Sequence, residues 1–387
     1  MYLTKEEEQI LDGKLGEGYA RMMKILVKIG EIYGAEKLIP IKSAQISGVS
    51  YNTIGEHGLH FLRSLKGVKV SVPTTLNPLG FDSEHLSEMN VDEEFYKKQM
   101  EIIKAYLDMG IKPTATCTPY YYDNIPSFGD HLAWAESSAV IYANSIIGAR
   151  TNREGAITAL ASAVIGKTPL YGLHLDENRR ATHIIKTDFE LKPVDFPLLG
   201  IHIGKIIDSG IPYFRIKGTQ DDLKLLGAAL AASGSIAMYH VENITPEWKC
   251  ALTDKVEIID IGREDIEEHS DTVDGELYAI GCPHASPSEL RIIAEFLKNK
   301  RIKKDAKLWI FTSKSVKKEH QELVKIIENA GGVVFADTCV VVSNAGKMFS
   351  KIVTTSGKAK VYLQKKKFGG AKVIVVDIYT LLRSVVE

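Results

Sequence analysis

The sequence predicts an α/β protein with mainly parallel sheets, and three observations lead there. The second half carries short segments rich in β-branched or aromatic residues: "KVEIIDIG", "GELYAIG", "AKLWIFTS", "GVVFADTC" and "AKVIVVDIY". Between several of them lie capped or amphipathic segments, such as "SELRIIAEFLKNK" and "KEHQELVKIIENAGG". Strands that alternate with helices line up in parallel, because each helix returns the chain across the sheet. The composition agrees: 387 residues, 45% hydrophobic and 25% charged, is soluble material for two or three such units.

In chain order, "MYLTKEEEQIL" is a charged helix start with a capping box from Thr4 to Glu7, unlike a signal peptide. "YARMMKILVKIGEIYGA" has apolar positions at helical spacing. "PIKSAQISGVSYNTIGEHG" and "KVSVPTTLNPLGFD" are rich in Gly, Pro, Ser, Thr and Asn and predict loops, where binding groups concentrate. A helix follows over 92–109, then "GIKPTATCTPYY" reads as a strand ending in a turn at Cys117. "LAWAESSAVIYANSIIGARTNREGAITALASAVIG" is helical in character, interrupted around "GARTNREG". "IPYFRIKGTQ", "DDLKLLGAALAASG" and "IAMYHVENITPE" read as strand, helix and strand. The boundary between an N-terminal region (1–205) and a C-terminal region (206–387) carries no linker signature.

Formal net charge is −1, so no basic surface for nucleic acid or membrane is indicated. No apolar run approaches the roughly 20 residues that span a bilayer. Lys365, Lys366 and Lys367 read as a solvated turn before Gly369 and Gly370. Four cysteines in a chain of this length make no disulfide framework, and a reducing cytoplasm is the expected compartment.

Three of those cysteines share a context. Cys117, Cys282 and Cys339 each follow a short apolar strand, in "IKPTATC", "LYAIGC" and "GVVFADTC". Cys250, in "PEWKCALTD", does not. In open α/β sheets, ligands bind beyond the carboxyl ends of strands. Cys282 also precedes a capping box of Ser286, Pro287 and Glu289, and a helix N-terminus favours a thiolate. Taken singly, such a cysteine is most often a small buried hydrophobe. As a converging trio they suit either a zinc site completed by water or an iron–sulfur cluster with one open iron. Without a CxxC pair, spacing does not decide between them.

The segments "ISGVSYNTIGEHG", "TCTPYY", "AESSAVIYANSIIGARTNREG", "IGCPHASPSEL", "ADTCVVV" and "TTSGKAKVY" together resemble the aconitase X family, in its archaeal form, over essentially the whole chain. The resemblance implies an aconitase-like arrangement of α/β/α layers without the swivelling domain, which would be a separate small subunit and make a heterodimer. It implies a 4Fe-4S cluster on Cys117, Cys282 and Cys339. The implied activity is that of a hydro-lyase, phosphomevalonate dehydratase, which forms trans-anhydromevalonate 5-phosphate in the mevalonate pathway of isoprenoid synthesis. Substrate contacts are implied at Gly48, Val49, Ser50, Asn77, Pro78, Glu136, Ser137 and Lys358, with the general base on the partner.

The residues have readings of their own. "SGVS" is a turn whose N–H groups suit an anion, or a plain Gly/Ser turn, and "LNPLG" is a loop that Asn77 caps. Glu136 and Ser137 sit in an apolar segment, where a charge needs a partner. Lys358 is a point charge for a phosphate, or a surface lysine. His284 reads as orienting the capped helix, and Arg150, Asn152 and Arg153 as structural. Other activities consistent with the sequence are a cis-3-hydroxy-L-proline dehydratase of the same family, a non-catalytic metal-binding protein and a zinc hydrolase.

Overall fold

Strand Leu277–Ile280 occupies the middle of a five-stranded sheet in the computed structural model, which describes residues 1–266 and 273–387. The spatial order is Val333–Ala336, Lys307–Thr312, Leu277–Ile280, Lys351–Thr354, Lys372–Val375, and every pairing is parallel. Alternate residues serve two cores. Tyr278, Ile280, Leu308 and Ile310 face one, while Leu277, Ala279, Trp309 and Phe311 face the other. A sheet covered on both sides needs such continuous apolar runs, which is why these strands stand out in the sequence. The chain builds outward from Leu277–Ile280 and then returns to add Lys351–Thr354 on the other side. The reversal opens a crevice at the carboxyl ends of those two strands.

A second parallel sheet has the order Thr74–Leu76, Ser43–Ile46, Leu132–Trp134. A parallel bridge from Leu76 to Ala115 widens it by one position. Its reversal lies beside Ser43–Ile46, so this sheet too presents a crevice at its carboxyl edge. A third parallel sheet orders His240–Val241, Pro212–Phe214, His183–Thr187 and Glu257–Ile261. Among the described residues only Leu38–Pro40 and Lys167–Pro169 pair antiparallel as strands.

Five segments differ from their expected form. "TTL" in the second expected loop is the buried strand Thr74–Leu76, and "IKPTATC" forms no strand, only the Ala115 bridge, so Cys117 follows a single bridge and not a strand. "SAQI" is not loop but the fully buried central strand Ser43–Ile46. "SYNTIGEHG" enters helix Tyr51–Ser64, which kinks where Gly55 takes φ 59°. "LAW" is strand Leu132–Trp134, and the helical part of that stretch begins only after it, as Ser137–Tyr142 and Ala156–Ile165. The predicted helix over 92–109 is Glu93–Asp108, capped by Asp92. The Thr4–Glu7 and Ser286–Glu289 capping boxes both form. Lys365, Lys366 and Lys367 are exposed in the turn ahead of Gly369.

Position 205 falls inside helix Asp195–Ile207, which packs closely on Gln220–Ser233. A Cβ on Gly204 would come within 2.0 Å of Ser233 Oγ and 3.0 Å of the Gly234 nitrogen and Leu230 carbonyl oxygen, so a larger residue there would force this crossing to shift. Among the described residues no helix is long and apolar enough to cross a membrane.

Candidate active site

The carboxyl ends of the first two sheets face one small cavity of about 220 Å³. Several strand ends deliver a group. Strand Leu277–Ile280 leads through Gly281 to Cys282. Gly281 has φ 107°, and a Cβ there would sit 2.1 Å from the Phe311 carbonyl, so only glycine makes this exit. Strand Val333–Ala336 leads through Asp337, at φ 61°, to Cys339. Cys117 follows Thr116, whose N–H bonds to the Leu76 carbonyl at 2.9 Å and whose carbonyl accepts from Gln45 Nε2 at 2.7 Å. Thr74–Leu76 ends in Asn77 and Pro78, Leu132–Trp134 ends in Glu136 and Ser137, and Lys351–Thr354 ends at the helix carrying Lys358. All these cysteines and strand-end residues line the cavity, together with Ser47, Thr53, Arg153, Val341, Val342, Tyr362 and Phe368.

Glu136 and Lys358 form a buried ion pair across 222 positions of sequence. Glu136 is the N-cap of helix Ser137–Tyr142. Its Oε2 accepts from the Ala139 N–H and the Ser138 hydroxyl, both at 2.6 Å, and its Oε1 accepts from Lys358 Nζ. Nζ reaches the Ser138 hydroxyl as well, at 3.3 Å. Burial opposes both charges, but the pairing outweighs it. Glu136 is held below its ordinary value, and Lys358 above its own, by Glu136 and by the thiols.

The three cysteines are buried, free of disulfides and near one another. The Cys282 thiol donates to Cys339. That bond, with the Val342 and Val341 N–H groups and the Lys358 charge, brings Cys339 down to about 7 in spite of burial. Cys282, the donor, is raised by the same bond and by burial. Burial and Glu136 raise Cys117, against the pull of Lys358 and of the His284 N–H, which donates to its Sγ at 3.1 Å. His284 is fully buried. Burial pulls its imidazole down to about 4, so it is neutral.

This donor set fits a cofactor with several thiolate-seeking atoms. Among the described residues no three His, Cys, Asp or Glu side chains are grouped to hold a single metal ion. Three thiols around a shared cavity, with N–H donors on two of the sulfurs and an ammonium beside them, match the second-sphere hydrogen bonding of an iron–sulfur cluster. Among the described residues Asn77 Oδ1, buried on the cavity wall, accepts no hydrogen bond.

The site residues expected from the sequence divide in two. Asn77, Pro78, Glu136, Ser137, Lys358 and the three cysteines meet on the cavity. Gly48, Val49 and Ser50 do not line it, although their neighbours Ser47 and Thr53 do. They form the turn into helix Tyr51–Ser64, with Gly48 at φ 66° and Val49 and Ser50 buried. Gln99 fixes that turn, donating to the Val49 carbonyl at 3.0 Å and accepting from the Tyr51 N–H at 3.0 Å.

Arg150 pairs with Asp176 and bonds to the His174 carbonyl, off the cavity. Asn152 bonds to the Leu173 N–H and the Tyr171 carbonyl, also off it. Arg153 is the exception, since it lies on the cavity and its only described polar contact is the Gly234 carbonyl at 3.3 Å. Its place in "GARTNREG", directly after a helical interruption, was the available signal. Ser138, Thr53 and Tyr362 carried none.

Comparison with known proteins agrees with this geometry. Sequence models for the aconitase X first, second and third domains match residues 1–177, 181–271 and 275–387. The phosphomevalonate dehydratase large subunit of Methanocaldococcus jannaschii is 49% identical, over 99% of this chain and 100% of that one. The protein of the same name from Thermococcus kodakarensis is 48% identical, over 95% and 96%. The cis-3-hydroxy-L-proline dehydratase of Pseudomonas aeruginosa is 33% identical, over 86% of this chain but 61% of its own length. The crystal structure of Thermococcus kodakaraensis aconitase X in its holo-form superposes with a TM-score of 0.92, at 46% identity, over 100% of both chains. With all three domain types present in order and a shared fold along its whole length, the chain belongs to the aconitase X family.

Proposed function

We propose that this chain is the large, cluster-bearing subunit of a cytoplasmic dehydratase that removes water from (R)-mevalonate 5-phosphate, giving trans-anhydromevalonate 5-phosphate. The observation that carries this reading is the meeting of Cys117, Cys282 and Cys339 with the buried Lys358–Glu136 pair on one small cavity. The choice of substrate is supported by relatives. Phosphomevalonate dehydratase large subunits match the chain along nearly their whole length, whereas it spans only 61% of a hydroxyproline dehydratase.

Cys117, Cys282 and Cys339 would hold a 4Fe-4S cluster as thiolates. Such a cluster supplies, when bound, one iron free of protein ligands, a Lewis acid for a tertiary hydroxyl. The chain's own residues bind and orient. Lys358 offsets the charge that three thiolates bring into a buried site, and Glu136 with Ser138 fixes the direction of its ammonium. Asn77 Oδ1 accepts a hydrogen bond from a substrate hydroxyl. Arg153 answers one of the substrate's anionic groups at the mouth, and Gly48, Val49 and Ser50 shape the adjoining wall.

Among the described residues Glu136 is the one carboxylate on the cavity wall, and both its oxygens are engaged. It is poorly placed to take a proton. That favours a base delivered by a small swivelling subunit, consistent with the "large subunit" in the relatives' names. The base takes a proton from the carbon next to the carboxylate, the C–H pair becomes the double bond, and the hydroxyl leaves with the C–O pair and takes a proton from solvent to become water.

The test is anaerobic purification of the chain alone and co-expressed with a small-subunit candidate, each assayed on mevalonate 5-phosphate and on cis-3-hydroxyproline. The expected result is a brown protein, nearly inactive alone, that with its partner dehydrates only the phosphorylated acid. Full activity without a partner, or turnover of hydroxyproline instead, would refute the assignment.

A further inference from the structure

We propose that His284 is a positioning residue that holds the three cysteine loops at one fixed spacing, so that the thiols are arranged for a cofactor before it arrives. The proposal rests on the cluster reading of the site. Three contacts and one sequence position carry it. The His284 N–H donates to Cys117 Sγ at 3.1 Å. Its Nε2 lies 2.7 Å from the Thr338 carbonyl, which can only accept, so Nε2 bears the proton. Its Nδ1 is then an acceptor, 2.9 Å from the Thr116 hydroxyl. His284 itself stands two residues after Cys282, while Thr116 precedes Cys117 and Thr338 precedes Cys339.

One side chain thus rides on the Cys282 loop and bonds to the residue before each of the other two cysteines. The sheets supply only part of that link, since the Ala115 N–H reaches Asp337 Oδ1 at 3.5 Å, ahead of Cys339, but does not touch the Cys282 loop. Cys117 hangs from the sheet containing Ser43–Ile46, whereas Cys282 and Cys339 hang from the sheet containing Leu277–Ile280. The bridge between Leu79 and Thr338 ties the Cys339 loop to the segment after the strand ending at Leu76, and reaches neither the Cys117 loop nor the Cys282 loop. The imidazole suits the task because it is rigid, is fully buried and has both nitrogens engaged in opposite directions. Second-sphere groups of this kind fix ligand orientation, and their loss typically weakens metal retention about 10- to 100-fold.

The test uses the full chain with its partner, prepared under argon. H284Q keeps a donor for Thr338 and loses the acceptor for Thr116, and H284N does the reverse. T116V removes the hydroxyl without touching the imidazole, and T116S retains it. Iron and acid-labile sulfide per chain, the rate of bleaching in air and the EPR line shape after mild oxidation are measured, none of which needs turnover.

T116S is expected to match the wild type. T116V, H284N and H284Q are expected to lose the cluster roughly 10- to 100-fold faster, with altered line shapes. If the His284 variants fail to fold, the T116V and T116S pair decides by the same readouts. Wild-type retention and line shape in folded T116V and H284Q would overturn the proposal. A wild-type protein that takes up no iron or sulfide would overturn the cluster reading and this one with it. A loaded protein that fails on mevalonate 5-phosphate would overturn only the choice of substrate.

Discussion

Two buried lysines of this chain make nearly the same bonds and stand in different surroundings. Lys224 pairs with Glu289 and, at 3.1 Å, with Asp221, and Lys358 pairs with Glu136. In both pairs the glutamate also serves a helix start, Glu289 within the Ser286 capping box and Glu136 as an N-cap. Lys224 sits in solid packing, donating further to the His284 carbonyl at 3.4 Å. Lys358 faces a cavity with three thiols. A buried ion pair is therefore no mark of a site by itself. What separates the two is the cavity and the unpaired Asn77 oxygen on the wall that Lys358 shares.

The largest expected effect sharpens that contrast. K224M strands Glu289 and Asp221 without their cation, and breaking a buried pair this way costs about 3–5 kcal/mol. Urea denaturation should show the loss, while the protein that remains folded turns over within a few-fold of wild type. K358M carries a similar stability cost but should also lower kcat by about 10²- to 10³-fold, as removal of a preorganised charge at a reacting centre does. The double variant K358M/E136Q should regain stability and stay inactive. If it regained activity as well, the pair at the cavity would be as structural as the other.

Next in size is Arg153, a cation with no carboxylate partner among the described residues. Both buried lysines are already neutralised, so an incoming anion finds its counter-charge here. R153A should raise KM for mevalonate 5-phosphate about 10- to 100-fold, the range of a lost hydrogen bond to a charged group, with a smaller change in kcat. An unchanged KM would leave Arg153 a surface residue held by the Gly234 carbonyl.

The contrast also shows where the sequence was readable. The five-stranded sheet was legible because its strands are buried on both faces and so read as apolar runs. The central strand Ser43–Ile46 was not. "SAQI" is buried through a polar residue, Gln45, whose amide nitrogen is taken up by the Thr116 carbonyl, and that partner lies on another loop. "LAW" merged with the helical residues after it because three apolar residues carry no period of their own. Cys117, Cys282 and Cys339 were legible from shared context alone. Glu136 was visible as a charge among apolar residues, yet neither its capping role nor its long-range bond to Lys358 leaves any local pattern. His284 was hidden for the same reason, since its partners sit on loops that only the fold brings together.

A smaller effect is expected at Ser138, whose hydroxyl binds both members of the cavity pair. S138A removes a bond to the Glu136 carboxylate and a longer one from the Lys358 ammonium, while Oε2 keeps the Ala139 N–H and Lys358 keeps Glu136, so the stability loss is about 1.5–3 kcal/mol. Turnover should fall several-fold through a less firmly aimed ammonium. A loss as large as that of K358M would make the hydroxyl itself a participant in the reaction.

The smallest expected effect is a flat line. Glu136 is held below its ordinary 4.5, so the stability it contributes is complete above that value and is lost as pH falls through its folded value. Lys358 is held above its ordinary 10.5, so its contribution is complete below that value and fades as pH rises toward its folded one. Between 4.5 and 10.5 the pair neither gains nor loses a proton on unfolding. The stability difference between wild type and K358M/E136Q, followed by urea denaturation from pH 4.5 up to where Cys339, at about 7, begins to titrate, should therefore stay constant. A step inside that window would mean that Glu136 changes protonation there. Glu136 would then be free to act as a base, and the reason for seeking that base on a partner subunit would disappear.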